Sequence, residues 1–141
     1  MKNVMIQLIC WLSLVSPVHA DDRFQWEELE LLPNTVGVAG PFVGVYNDVL
    51  IVAGGANFPD KRPWDGGVKV WWDDIHVMER GSDGMPEWIR DADFKLPKPL
   101  AYGVAISIPQ GILLIGGCDA ERCYDDVMLL QWDSDAKQIH L

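Results

Sequence analysis

Apolar residues along this chain occur in short runs separated by turn residues, and no stretch of adequate length keeps a helical period. The clearest runs are Phe42–Tyr46 and Val49–Ala53, which are joined by Asn47 and Asp48. Because Asn and Asp tolerate the positive φ of two-residue turns, this segment predicts a β-hairpin whose second strand is buried. Further strands are predicted at residues 24–30, 74–79, 87–90, 101–108, 112–115 and 127–132, and residues 137–141 begin another element. The pattern predicts an all-β protein.

The predicted hairpin belongs to a repeat that occurs twice. Each copy has a Leu-Pro pair, two strands and a Gly-Gly pair, which lies at residues 54–55 in the first copy and 116–117 in the second. The interval between the glycine pairs also separates Trp26 from Trp88, whereas the loop after the first pair is about ten residues longer than its counterpart. Four short strands per repeat, with recurring glycine and aromatic residues, are typical of a β-propeller blade.

Charge and the N-terminal residues indicate where such a fold would act. The 141 residues include 11 Lys and Arg against 21 Asp and Glu, and an acidic surface of this kind disfavours nucleic acid and anionic lipid as partners. Residues 1–20 combine Lys2, an apolar run and small residues before a cleavage position, which predicts a secretory signal peptide. The alternative, a membrane anchor, is disfavoured because the run is short and holds Gln7 and Ser13. We expect residues 21–141 to form a periplasmic or secreted domain with no membrane contact after signal removal.

The cysteines leave a choice open. Of the three, Cys10 falls within the predicted signal peptide, so Cys118 and Cys123 remain in the mature chain. An exported chain permits disulfides, and these two cysteines could close a short loop with each other. Free thiols or pairing between chains are the alternatives, and the sequence alone does not choose between them.

Segments in both copies resemble known motifs. The segments VLIVAGG, DDIHVME, ILLIGG and DDVMLLQW, with Trp88 followed by Leu96 and Pro97, resemble the kelch motif of β-propellers. More narrowly, GGANFPDKRPWDGGVKVWWDDI and LPKPLAYGVAIS resemble the cyclically permuted sialic-acid mutarotases, which are the bacterial N-acetylneuraminate epimerases. The resemblance covers residues 24–141. It implies kelch-type propeller blades and a reaction that interconverts the anomers of N-acetylneuraminate, a small sugar acid, by acid–base catalysis without a cofactor.

Length is the main departure from that family. Its members resemble six-bladed propellers, whereas this chain accounts for about two blades, one complete and most of a second. We therefore expect a truncated or short form, in which residues 24–30 are a leading strand of a blade whose remainder is absent. Blades that do not close a ring leave unpaired strand edges, so we expect self-association through those edges.

One face of the predicted blades gathers the candidate binding residues. In a four-stranded meander, alternate connections share a face, and here that face collects the loops after both glycine pairs and both Leu-Pro turns. A sugar acid needs a cation for its carboxylate, for which arginine is best suited, and mutarotation needs one group that removes a proton and another that donates one. The substrate-binding candidates on this face are Asn57, Lys61, Arg62, Trp64, Asp119 and Arg122, with Glu121 as a further charged residue. The alternative is that they are solvated loop residues, and the catalytic residues stay unassigned.

Other conspicuous residues are better explained by structure. Four tryptophans are expected to pack between blades, namely Trp26, Trp72, Trp88 and Trp132, whereas Trp64 on the long loop is placed to stack on a sugar. The Asp-Asp pairs at residues 73–74 and 125–126 begin strands, which favours a turn or hydrogen-bonding role. His76 has no second histidine nearby, so we expect no metal site.

A second class of function stays open beside the enzyme. Kelch blades host many functions, and a non-enzymatic module could bind a glycan or a protein through the same loops. Acceleration of anomer equilibration distinguishes the mutarotase from a binder, which would only shift the signals of its ligand.

Overall fold

The computed structural model describes residues 26–33, 37–90 and 92–141, and the predicted signal peptide at residues 1–20 lies outside these ranges. The described residues form eleven strands and one 3-10 turn at Pro63–Asp65. The strands are β1 (Phe42–Tyr46), β2 (Val49–Ala53), β3 (Ala56–Asn57), β4 (Val70–Trp71), β5 (Asp74–Arg80), β6 (Pro86–Trp88), β7 (Phe94–Lys95), β8 (Val104–Ile108), β9 (Gly111–Ile115), β10 (Val127–Asp133) and β11 (Gln138–His140). No helix in the described part of the chain is long and apolar enough to cross a membrane.

The strands form two antiparallel meanders that correspond to the two copies of the repeat. Blade 1 has the strand order β1-β2-β5-β6, and β7 also pairs with β5. Blade 2 has the order β8-β9-β10-β11. The sequence predicted only most of a second blade. That expectation was wrong, because residues 138–140 return along β10 and complete a fourth strand.

The predicted turns and glycine pairs have the geometry that the repeat requires. Asn47 and Asp48 have φ values of 49° and 60°, which is the conformation of a type I′ hairpin turn. The first glycine of each pair has nearly the same φ, 66° at Gly54 and 67° at Gly116. Side chains rarely adopt this left-handed conformation, so glycine is needed at both places for the backbone to leave the second strand.

Two parts of the chain differ from the prediction. Residues 26–30, the described part of the strand predicted at residues 24–30, form no strand, and Trp26 is exposed rather than packed between blades. A strand needs backbone pairing with a neighbouring strand, and no described strand pairs with this segment. The long loop after Gly55 is also more ordered than predicted, because β3 and β4 pair as a small antiparallel ribbon within it.

The hydrophobic core lies between the two blades. Ile51, Ile75 and Val77 of blade 1 belong to the same buried cluster as Leu114 and Trp132 of blade 2. The ring of Phe94 meets that of Trp132 edge to face, with the centroids 5.8 Å apart. Burial of each such side chain is worth roughly 1.5–3 kcal/mol, so this shared cluster stabilises the packing of one blade on the other.

Close approach of the blades depends on a small residue in the innermost strand of blade 1. A Cβ atom at Gly44 would lie 2.8 Å from the Ile112 side chain, so any larger residue would push the blades apart. In the same region the backbone N–H of Val45 donates to the Ser107 hydroxyl at 2.9 Å. These contacts place β1 and β8 side by side at the inner edges of their sheets.

The opposite side of blade 2 is apolar and uncovered. We call it the open face and define it by six side chains, Val104, Ile106, Leu113, Ile115, Val127 and Leu129. The strand register places them in two rows, since Val104 and Val127 both lie opposite Ile115, and Ile106 and Leu129 both lie opposite Leu113. The open face therefore presents an aliphatic surface across three strands.

Candidate functional site

Loops that are distant in sequence meet at one face of the two blades. We call this the loop face and define it by residues 37–40, 54–73, 96–102 and 116–125. The backbone N–H of Gly55 donates to Leu100 O at 2.8 Å, and that of Tyr102 donates to Gly40 O at 2.7 Å. Isolated bridges join Ala39 to Ala56 and Ala101 to Cys118. The convergence that the sequence predicted for these loops is therefore present.

Asn57 holds two of these loops together. Its Nδ2 donates to Gly37 O at 2.8 Å, and its Oδ1 accepts from Trp72 Nε1 at 2.9 Å. The amide thus uses its acceptor oxygen and one N–H donor in hydrogen bonds within the protein. Trp72, which was expected to pack between blades, instead uses its indole nitrogen to fix the loop.

Lys61, Arg62 and Trp64 lie at the exposed tip of the long loop. The Arg62 carbonyl accepts from the backbone N–H of Asp65 and of Gly67, both at 3.0 Å, which closes the 3-10 turn. The Arg62 guanidinium lies 5.6 Å from the centroid of the Trp64 ring, and Trp64 is 75% exposed. Arg62 and Trp64 therefore present a cation and an aromatic face together, and both remain accessible to a ligand.

Asp119 organises the short loop of blade 2. Its carboxylate accepts from the backbone N–H of Glu121 at 2.8 Å, from that of Arg122 at 2.9 Å and from the Tyr124 hydroxyl. These bonds, the Tyr124 bond first, lower the pKa of Asp119 from 3.8 to about 2. Cys118 and Cys123, at the ends of the loop, are joined by a disulfide. A carboxylate with this many internal donors is suited to holding the loop rather than to moving protons.

Arg122 lies against an aromatic ring beside a second cation. Its guanidinium is 4.6 Å from the centroid of the Tyr124 ring, and Lys98 Nζ is 3.7 Å from the same centroid. Lys98 also binds Asp126 Oδ2 at 2.6 Å. The sequence candidates thus fall into separate groups, one on each loop, and no hydrogen bond or ion pair among the described residues joins Arg62 to Arg122.

The structure adds two residues that the sequence reasoning missed, Lys69 and Tyr102. They border a depression of about 420 Å³ on the loop face that is otherwise lined by residues 37–39 and 56–58. Lys69 Nζ lies 4.3 Å from the centroid of the Tyr102 ring and 5.0 Å from that of Trp71. The repeat held a signal for Tyr102, since it occupies the position that Gly40 has in the first copy and adopts a glycine-like φ of 66°.

Comparison with known proteins relates these features to a family. No family model matches the chain. An N-acetylneuraminate epimerase of Brucella suis is 35% identical over 135 residues, which covers 84% of this chain and 33% of the relative. One of Shigella flexneri serotype 5b is 33% identical over 105 residues, covering 68% of this chain and 27% of the relative. This chain is a homologue of the N-acetylneuraminate epimerases.

The homology extends to the fold. The solved structure of YjhT superposes with a TM-score of 0.67 at 28% identity, over 83% of this chain and 34% of that one. The two sheets are kelch-type β-propeller blades, as the sequence predicted. The chain spans about a third of the length of the curated relatives that it matches.

A second cavity, of about 200 Å³, lies beside the outer strands of blade 1. Burial, partly offset by the nearby Asp74 carboxylate, lowers the pKa of His76, which borders this cavity. Asp73 and Asp74 both bind Lys95 Nζ, at 3.2 and 2.6 Å, so this Asp pair has the hydrogen-bonding role that its place before a strand indicated. Among the described residues, no three His, Cys, Asp or Glu side chains come together as a metal ion would require.

Proposed function

We propose that the loop face of this chain binds a sugar acid and that the chain forms part of an exported N-acetylneuraminate mutarotase. The homology to N-acetylneuraminate epimerases carries this proposal, because the match covers 84% of this chain. The composition of the loop face supports it. Arg62, Lys69 and Arg122 each lie over an aromatic ring there, and cations and aromatic rings are the groups that recognise a carboxylate and a sugar ring.

Mutarotation of a sugar hemiketal needs a base for the anomeric hydroxyl and an acid for the ring oxygen. On the described loop face, the Asp119 carboxylate is already bound by its own loop. We therefore expect these two blades to contribute recognition, while the proton-transfer groups lie in the part of the relatives that this chain does not match. No residue of the described chain is assigned a catalytic role.

Equilibration of N-acetylneuraminate anomers tests the proposal. We would dissolve a single anomer and follow the approach to equilibrium by NMR, with and without the full chain, while recording saturation transfer to the sugar. We expect saturation transfer to the sugar whenever the chain is present, with no faster equilibration by this chain alone, because the proton-transfer groups are expected outside it. Faster equilibration by this chain alone would contradict that placement of the proton-transfer groups. The absence of saturation transfer would overturn both the mutarotase and the non-enzymatic glycan-binding module.

Export is the second part of the proposal. The charged start, apolar run and small residues of residues 1–20 support it. Expression with the natural N-terminus should give a periplasmic or secreted product that begins at Asp21 and whose mass is consistent with one disulfide. A cytoplasmic product that retains Met1 to Ala20 would contradict export.

We also propose that the open face binds a second copy of this chain. In the repeat, the open face of blade 2 corresponds to the surface of blade 1 that blade 2 covers. Blade 2 makes that contact with the side opposite its open face. We therefore expect the open face to bind the corresponding side of another blade. Blade 1 has such a side, on which Val43 and Val45 remain exposed. Copies would then join head to tail, with blade 1 of one copy against the open face of the next.

Light scattering over a concentration series tests this association. We expect the mass to rise above that of one chain with concentration, and Ile106→Asp, which places a charge on the open face, to keep the chain monomeric. Val68→Asp is the matched control, because Val68 is an exposed apolar residue on the loop face, away from the open face. A wild-type chain that stays monomeric throughout would overturn the proposal.

A further inference from the structure

Lys69 differs from several other lysines of this chain in the groups that its ammonium contacts. Lys95, Lys98 and Lys137 each bind a carboxylate, as the ion pairs with Asp74, Asp126 and Glu79 show. The ion pairs of the described residues do not include Lys69, whose ammonium lies instead over the rings of Tyr102 and Trp71. The loop face therefore holds a positioned cation whose contacts are aromatic rather than acidic.

Aromatic contacts fix the position of an ammonium group without using its hydrogen bonds. A cation over a ring is attracted by the negative face of the ring, and the attraction is stronger where the cation is desolvated. The ammonium group has three N–H donors, and a carboxylate that reaches them forms charge-assisted hydrogen bonds. Lys69 borders the depression of about 420 Å³, a volume within the roughly 300–1,000 Å³ of small-molecule sites.

Tyr102 is held in place against its own conformational preference. Its φ of 66° is sparsely populated by side-chain-bearing residues and carries a cost in backbone strain. The backbone offsets this cost, because the Tyr102 N–H donates to Gly40 O at 2.7 Å and the preceding Ala101 bridges to Cys118. Gly40 is also required beneath the ring, since a Cβ atom there would overlap the Tyr102 side chain. Strain retained at an exposed residue indicates a role for the side chain.

We propose that Lys69 binds the carboxylate of the sugar acid, and that Tyr102 is the residue that positions the Lys69 ammonium. This assignment rests on the proposed function and identifies the cation within that site. It departs from the expectation that an arginine fork fills this role. Arg62 lies at the exposed tip of the long loop, and Arg122 is stacked on Tyr124 in the other loop, whereas Lys69 is the cation at the depression.

Paired ligands separate this proposal from the proposed function. We would titrate the full chain with N-acetylneuraminate and with its methyl ester, which keeps the sugar and removes the charge. We expect the wild type to bind the acid at least about ten-fold more tightly than the ester, because a hydrogen bond to a charged group is stronger than one to a neutral group. Lys69→Gln should remove that preference and leave ester binding unchanged, whereas Lys137→Gln, which changes a lysine paired with Glu79 outside the loop face, should keep it.

The outcomes are distinguishable. If the wild type prefers the acid and Lys69→Gln keeps the preference, the carboxylate binds elsewhere and this assignment is wrong while the proposed function stands. If the wild type binds both ligands equally, the carboxylate charge is not recognised and this assignment is wrong. If the wild type binds neither ligand, the sugar-acid function itself fails and this assignment fails with it.

The role of Tyr102 has its own readout. Tyr102→Gly introduces the residue that the first copy has at the equivalent position, Gly40. This variant relieves the φ strain but removes the ring. We expect this variant to unfold at the same or a higher temperature than the wild type and to lose most of the preference for the acid. Tyr102→Phe, which keeps the ring, should restore the preference. A purely structural Tyr102 would instead show lower stability in the glycine variant and unchanged ligand preference.

Discussion

Equivalent surfaces of the two blades both consist of apolar side chains, but the surface of blade 1 is buried and that of blade 2 is exposed. Phe42, Ala53 and Ile75 of blade 1 are 1%, 1% and 3% exposed. Their repeat equivalents in blade 2, which are Val104, Ile115 and Val127, are 55%, 36% and 61% exposed. Blade 2 covers the first set, and no described residue covers the second. Burial in this fold is thus a property of the neighbouring blade rather than of the blade's own sequence, as expected for repeats whose stability comes from the contacts between them.

The largest expected effect contrasts two truncations at equivalent positions. Ile75→Ala should lower the free energy of unfolding by about 2–5 kcal/mol, because it leaves a cavity between the blades. Val127→Ala should change it by less than about 0.5 kcal/mol in dilute solution, where the open face meets only water. Urea unfolding followed by tryptophan fluorescence measures both. Equal losses would show that the two surfaces are equally buried and would contradict the contrast.

The glycine pairs provide a sharper contrast, because Gly54 and Gly116 share a φ near 67°. Alanine in the left-handed conformation costs about 1–2 kcal/mol, and we expect Gly116→Ala to lower the unfolding free energy by that amount. A Cβ atom at Gly116 would lie 3.2 Å from Tyr124 O, whereas one at Gly54 would overlap the Leu100 carbonyl oxygen. Gly54→Ala should therefore cost more. The same unfolding assay decides the order, and a larger loss for Gly116→Ala would contradict the tighter packing at Gly54.

The loops after these glycines differ in what closes them. The loop of blade 1 is longer and contains the β3–β4 ribbon, while that of blade 2 is closed by the Cys118–Cys123 disulfide. Replacing both cysteines with serine should lower the unfolding free energy by about 2 kcal/mol, because the bond restricts the unfolded chain. Reductant should destabilise the wild type to the same extent and leave the double variant unchanged. Equal sensitivity of the two proteins to reductant would exclude this role.

The smallest expected effect concerns Asn57 and Asp119, which occupy equivalent positions and hold their loops by a neutral and a charged group. The pKa of Asp119 in the folded chain is about 2, below its ordinary 3.8. The unfolded chain therefore binds the proton more readily, so the stabilisation by Asp119 is complete above pH 4 and is lost as the pH falls towards 2. The difference in stability between wild type and Asp119→Asn should shrink over that interval. Asn57→Ala should lower stability by an amount that does not change with pH over this interval, and a constant difference for Asp119→Asn would contradict the role of its charge.

Much of the fold could be read from the sequence because blade strands carry local signals. The predicted bounds of the β1–β2 hairpin agree with the structure to the residue. Its apolar strands and its Asn-Asp turn are local signals that do not depend on the rest of the molecule. The strand predicted at residues 24–30 was wrong over residues 26–30, because a strand also needs an edge to pair with. For residues 137–141 the sequence predicted only the beginning of an element. The strand Gln138–His140 was not predicted, because this short segment has no recognisable motif and is defined by its pairing with β10.

The candidate site was only partly predictable for a physical reason. Loop connectivity placed Asn57, Arg62 and Asp119 on one face, but their hydrogen-bond partners depend on tertiary packing. Asn57 and Asp119 proved to hold loops, whereas their residue types had indicated ligand contacts. Tyr102 was missed because its exceptional feature is a backbone angle, which residue type does not reveal unless the two copies are compared position by position.

The central claim is that the open face of blade 2 is exposed because no neighbouring blade covers it. Oxidative footprinting of this face and of the equivalent, covered surface of blade 1 is the most direct test. Hydroxyl-radical labelling of the full chain would be read by mass spectrometry at Phe42 and Ile75 in blade 1 and at Val104 and Val127 in blade 2, over a range of protein concentrations. We expect Phe42 and Ile75 to be protected at every concentration, and Val104 and Val127 to become protected only as the concentration rises. Val104 and Val127 that stay reactive at all concentrations, or are protected even in the most dilute sample, would contradict the account.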